Sequence, residues 1–167
     1  MGASVRQRLL NYAKDNGRPF AEVLQYYAME RFLYRLSVSP HVENFTLKRA
    51  LLLTAWQASI SRPTMDIDLL GRTDNDVDMI VTLMREISQA PVTNDGIVFN
   101  PASFVGEIIR EDADYAGVRT TFVGRVDSAR VHMQIDIGFG DVMTPGPETL
   151  TYPTILDFPA PTLAGYS

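Results

Sequence analysis

The stretch RPTMDIDLLG, residues 62–71, restricts the possible folds more than any other: two aspartates, Asp66 and Asp68, interrupt an apolar, strand-like run. In a strand, residues two apart share a face, so the pair projects one way about 7 Å apart while Met65, Ile67 and Leu69 pack behind it. Any fold for this chain must offer a strand with one buried apolar face and one anionic face. Side-by-side anions repel, and a cation between them removes the repulsion; oxygen ligands select a hard ion such as Mg²⁺ or Mn²⁺. A solvated edge strand would also tolerate two aspartates, and the motif alone does not separate the two readings.

A third carboxylate belongs to the argument. Residues 130–138 alternate cleanly, with Val131, Met133, Ile135 and Ile137 on one side and His132, Gln134, Asp136 and Gly138 on the other. A neighbouring strand of this kind can carry Asp136 to the place where Asp66 and Asp68 project. Three carboxylates suit two-metal phosphoryl transfer, in which two hold the ion carrying nucleotide phosphates and the third helps hold the ion that activates an attacking hydroxyl. His132 and Gln134 share the face of Asp136 and line either that cleft or an open sheet surface. Asp141, in GFGD, reads as a turn cap.

Around these strands the periodicity predicts helices over 4–15, 20–36 and 46–57, the second with Phe20, Leu24, Ala28, Phe32 and Leu36 on one stripe. The third is apolar on most sides and is expected to be buried, with Trp56 in the core. A fourth helix follows Gly71, capped at Thr73 or Asp74, with Val77, Ile80, Val81, Met84 and Ile87 facing inward. Strands are predicted over 64–70, IVF, 103–110, 118–126 and 130–138, whereas YPTILDFPAPTLAGYS shows few signs of a closing element. The expected fold is α/β or α+β, a mixed sheet packed by helices, with an N-terminal helical segment over 1–40 and a core over 41–167.

The chemistry is bounded by composition. The chain has no cysteine, which removes disulfides, thiol nucleophiles and thiolate metal sites. Its formal charge of -5 argues against a surface that is wholly a nucleic-acid footprint. The basic residues Arg6, Arg8, Lys14, Arg18, Arg31, Arg35, Lys48 and Arg49 crowd the first 49 positions and read as a solvated helix face. With no apolar run long enough to span a bilayer and no secretory signal, the expectation is a cytoplasmic protein without a membrane partner. Neither Walker-type nor dinucleotide-binding glycine spacing occurs, and the two histidines, His41 and His132, stand in no catalytic-triad motif.

The segments LKRALLLTAWQASISRPTMDIDLLGR, IREDADYAGVRTTFVGRV, VHMQIDIGFGDVMTPGPE and YPTILDFPAPTL together resemble the AbiEii/AbiGii nucleotidyltransferase toxins of bacterial toxin–antitoxin and abortive-infection systems. That resemblance runs from about residue 20 onward and implies a polymerase-β-type nucleotidyltransferase fold. It implies Asp66, Asp68 and Asp136 as catalytic metal ligands, Lys48 and Arg49 near the nucleotide phosphates, and Arg62 and Thr64 flanking the pair. Mg²⁺ or Mn²⁺ is the implied cofactor and a nucleoside triphosphate the implied substrate. The implied partners are an RNA acceptor and an antitoxin protein; an apolar patch left exposed by a short C-terminus would in addition favour pairing with a second copy of the chain.

In two respects the sequence departs from the family. Where relatives place glycine in the phosphate-binding turn, this chain reads Lys48, Arg49, Ala50, and an arginine there either blocks close backbone approach or adds positive charge. Relatives also continue into a lysine-rich helical region past PAPTL, so the expected core is C-terminally truncated. Both departures keep open an alternative, a degenerate module that retains the fold and acts through dimerisation or a partner. Tyr115, Gly117 and Arg119 match a family hairpin and read as structural. A nucleotide-sugar glycosyltransferase, which also uses Asp-x-Asp, is disfavoured because 167 residues leave little room for a sugar site.

Overall fold

A computed structural model describes residues 1–48, 66–110, 116–140 and 146–166. Two helices come first, α1 (Gly2–Asp15) and α2 (Phe20–Ser37), followed by a short strand β1 (Phe45–Leu47). Next are β2 (Ile67–Gly71), α3 (Val77–Ser88), β3 (Ile97–Phe99), β4 (Val105–Arg110), β5 (Ala116–Val126) and β6 (Ala129–Phe139). The strands β7 (Glu148–Thr151) and β8 (Thr162–Gly165) complete an α+β fold. Among the described residues no helix is long and apolar enough to cross a membrane.

All eight strands of the described residues join one mixed sheet, ordered β3-β5-β6-β2-β1-β8-β7, with β4 also on β5. The long β5 serves two partners in succession along one edge. Residues 97–99 of β3 pair with its C-terminal end and β4 with its N-terminal half. Its other edge forms an antiparallel hairpin with β6 through a two-residue turn in which Asp127 takes a positive φ of 53. Aspartate tolerates that left-handed conformation better than most side chains. β6 then runs parallel to β2, and this pairing positions the site.

The core lies on one face of the sheet. Helix α2 buries Val23, Leu24, Tyr26, Tyr27, Ala28, Met29, Phe32, Leu33 and Leu36 together with the charged Glu30, Arg31 and Arg35, so other elements enclose it on most sides. Phe32 meets Phe122 of β5 and Phe99 of β3 with ring centroids 5.5 and 5.9 Å apart, and Phe104 stacks on Phe122 at 4.2 Å. From the same side, α3 adds Ile80, Met84 and Ile87.

Four expectations are corrected. Thr46 and Leu47 belong to β1 rather than to a helix, because they pair with Leu70 and Leu69 of β2; the rest of the predicted 46–57 helix, Trp56 included, lies outside the described residues. The α3 cap is Asp76, whose side chain accepts from the Met79 N–H at 3.0 Å, rather than Thr73 or Asp74. The tail does close the sheet: β7 and β8 form a hairpin, and β8 adds in parallel to β1. Arg31 and Arg35 are not on a solvated face. They are buried and form ion pairs with Asp95 at 3.5 and 2.8 Å, and Arg31 approaches Glu30 at 3.3 Å.

That buried charge group also holds the tail. Glu30 accepts from the Ile155 N–H at 2.7 Å, and Arg31 donates to the Pro159 carbonyl at 2.6 Å. Phe158 lies under the guanidinium groups of Arg31 and Arg8, and Arg8 pairs with Asp157.

Candidate active site

On β2 the alternation works as the sequence requires: Ile67 and Leu69 are fully buried, while Asp66 and Asp68 are half-buried on the other face. β6 does the same with Ile135 and Ile137 against Asp136. Because the two strands are parallel with Asp68 opposite Asp136, the side chains of those two residues project to the same side from adjacent strands. Neighbouring strands lie about 4.8 Å apart, so the three aspartates meet on one sheet face.

The row continues outward. Antiparallel register sets Arg119 of β5 beside Asp136, and Glu107 of β4 beside Arg119. Arg119 donates from Nε and Nη2 to the two oxygens of Asp136 at 2.9 and 3.1 Å, a forked pairing that a lysine could not make. The order across four strands is therefore Glu107, Arg119, Asp136, Asp68. One row further along, Gln134 donates from Nε2 to Asp66 at 3.2 Å, and Thr121 and Val105 lie beyond it. His132 follows on β6, and an open cleft of ≈ 360 Å³ runs over Asp66, Gln134, His132, Thr121 and Val123. His132 and Gln134 thus line the cleft.

Electrostatics mark Asp66 as the crowded member. Its carboxyl is held above the ordinary range, first by burial and then by repulsion from Asp136 and Asp68, with Arg119 working in the opposite direction. Oxygen donors alone are present, which suits a hard divalent cation. Among the described residues, however, no three His, Asp or Glu side chains are gathered into a ready-made metal cage. Both oxygens of Asp136 are engaged by Arg119, which ties that carboxylate to β5.

Of the expected phosphate-side residues, Lys48 is described. Its backbone N–H donates to the Asp68 carbonyl at 2.9 Å, which places it at the mouth of the carboxylate row. Arg49, Arg62 and Thr64 lie outside the described residues, as do Tyr115 and Asp141. The residue that sequence reasoning undervalued is Arg119. Its signal was the alternation of β5, which sets Arg119, Thr121, Val123 and Arg125 on the face opposite the core residues Val118, Thr120, Phe122 and Val126.

Residues 31–167 match the family model described as nucleotidyl transferase AbiEii toxin, type IV toxin–antitoxin system. A search of curated proteins found no match. Among solved structures, the chain is similar to a provisionally assigned nucleotidyltransferase from H. pylori, at 15% identity and a TM-score of 0.46, over 82% of this chain and 50% of that one. It is also similar to JHP933 from Helicobacter pylori, at 13% identity and a TM-score of 0.43, over 82% of this chain and 48% of the other. The chain spans about half the length of those structures.

Proposed function

The chain belongs to the AbiEii nucleotidyltransferase toxin family of type IV toxin–antitoxin systems, and on that premise we propose that its carboxylate row transfers a nucleotide from a nucleoside triphosphate to a hydroxyl acceptor such as RNA. The observation that carries this reading is the parallel register of Asp68 with Asp136, with Asp66 on the same face. Asp66 and Asp68 would hold a hard divalent cation, Mg²⁺ or Mn²⁺, and Asp136 would complete the set. Such a cation, when bound, supplies the positive charge that neutralises the triphosphate.

In the reaction, the acceptor oxygen forms a bond to the α-phosphorus and the bond from that phosphorus to the departing pyrophosphate breaks. A carboxylate oxygen of Asp136 takes the hydroxyl proton. Asp136 becomes available for this once its fork with Arg119 opens, and Glu107, opposite Arg119 on β4, offers that guanidinium a second carboxylate. Lys48, at the mouth of the row, meets the phosphates; Arg49, Arg62 and Thr64 are assigned there by family position. In this reading the product is a modified acceptor in the bacterial cytoplasm, and an antitoxin restrains the enzyme within an abortive-infection response.

Calorimetry with a nucleoside triphosphate and Mn²⁺ tests the ligand assignment. The double variant Asp66→Asn, Asp68→Asn should lose metal-dependent binding, and unchanged binding rejects the assignment. Incubation with labelled triphosphates and total RNA then separates an enzyme from a binding module, since the module leaves RNA unlabelled.

A further inference from the structure

The sheet face that carries the carboxylates does not end at the cleft. Beyond Val123 and His132, which face each other across the β5–β6 hairpin, the next pair on the same face is Arg125 opposite Arg130. Val98 of β3 stands beside Arg125, 59% exposed. Both arginines are exposed, and among the described residues neither guanidinium has an ion pair or hydrogen bond. Asp127, in the adjoining turn, lines the same region without pairing to either. Like charges placed directly opposite each other across two strands destabilise the hairpin. Against the single carboxylate of Asp127, the two arginines leave a net positive charge at this hairpin tip of a -5 chain, which suits an anion.

Around them is an open cleft of ≈ 690 Å³, lined also by Asn100, Ser128 and Val123. Val123 is shared with the smaller cleft that contains Asp66, so the two form one continuous surface. From Asp136 to Arg130 is six residues of β6, about 20 Å at ~3.3 Å each. A stacked nucleic-acid strand rises ~3.4 Å per nucleotide, so this track spans up to about six nucleotides. Along it, exposed Val105 and Val98 offer flat apolar contact, His132 offers a stacking ring, and the arginine pair offers charge.

We propose that this face is the acceptor track: a single-stranded nucleic acid lies along β5 and β6 with its reacting hydroxyl at Asp136, and Arg125 and Arg130 grip backbone phosphates several nucleotides away. The inference rests on the nucleotidyl-transfer reading for the position of the reacting end. An acidic peptide would answer the two arginines but not the apolar and ring surfaces that alternate with them. A nucleic acid answers both, because bases and phosphates alternate along one chain. The overall negative charge of the protein opposes a polyanion at long range, so binding depends on these contacts at short range.

Fluorescence anisotropy of the full chain with a labelled twelve-residue oligouridylate and with a labelled uridine trinucleotide tests the track. Wild type should prefer the longer strand. The double variant Arg125→Gln, Arg130→Gln should lose that preference, with affinity for the longer strand falling on the order of tenfold and the salt slope dropping by roughly 1.4, about 0.7 for each phosphate contact. Arg125→Lys, Arg130→Lys should restore the slope. Both positions are exposed, and thermal melts verify that the variants fold. Unchanged oligouridylate affinity in the glutamine variant overturns the proposal, and so does an arginine-dependent affinity for polyglutamate that exceeds that for the oligouridylate. Calorimetry of nucleoside triphosphate on the same samples reads the transfer site separately. Lost triphosphate binding in wild type would sink the catalytic reading without touching the anisotropy result.

Discussion

At the scale of single residues, the carboxylate row is under electrostatic tension. The carboxyl of Asp66 is held above its ordinary range by burial, then by Asp136 and Asp68. An acid whose folded-state pKa exceeds its unfolded value makes the native state lose stability as pH rises through the window between the two. Asp66→Asn removes that penalty, so thermal melts should show the variant melting slightly higher than wild type near neutral pH, the gain vanishing as pH falls into the ordinary carboxylate range. Equal melting at neutral pH would contradict the crowding. Arg119→Met takes away the fork on Asp136. Since the pair is partly exposed, the loss in cation-free protein should be ~0.5–1 kcal/mol. The rise in melting temperature on adding Mn²⁺ should in turn be larger than in wild type, because Asp136 no longer has a competing partner. The faces of Asp66, Asp68 and Asp136 were legible because a strand's period of two assigns them without reference to anything else. The role of Arg119 was not, because it depends on which residue of β6 stands opposite, and no local pattern encodes that register.

Among the elements, those with long periodic signals were readable and those made by distant pairing were not. Helices α1, α2 and α3 and strands β2, β5 and β6 follow hydrophobic periodicity in the chain, whereas β3 and β4 stand out only as short apolar runs between turn residues. β1, β7 and β8 are three or four residues long and exist because other strands receive them, which explains why 46–47 read as helix and the proline-rich tail as irregular. The seat of α3 on the sheet gives a test at this scale. A Cβ on Gly106 of β4 would lie 2.3 Å from Cγ2 of Val81 and 2.9 Å from Cγ1 of Val77. Gly106→Ala must therefore lift the helix or bend the strand, at a cost of ~1–3 kcal/mol that urea unfolding would register. An unchanged midpoint would mean that α3 does not bear on β4 as described.

For the whole molecule, the two ends of the chain are joined through α2. Glu30, buried between Arg31 and the tail, has its carboxyl pushed up to about 7, chiefly by burial, with Arg31 and the Ile155 N–H pulling it down and Asp95 pushing it up. Burial dominates, so this group also makes stability fall as pH rises from the ordinary glutamate range to about 7. Glu30→Gln keeps an oxygen for the Ile155 N–H but cannot ionise. Its unfolding free energy should be flatter than wild type across that interval, and an unaltered slope would show that another group sets it. The sheet itself is one layer thick between the carboxylate row and the core: Asp68 and Asp136 each have fully buried residues as immediate chain neighbours, Ile67 and Leu69 on one strand, Ile135 and Ile137 on the other. A protein engineer has little latitude there, because repacking behind the acids would move them. Sturdier variants should be sought in α1 and around the tail, where tightening the scaffold leaves the geometry of the three aspartates alone.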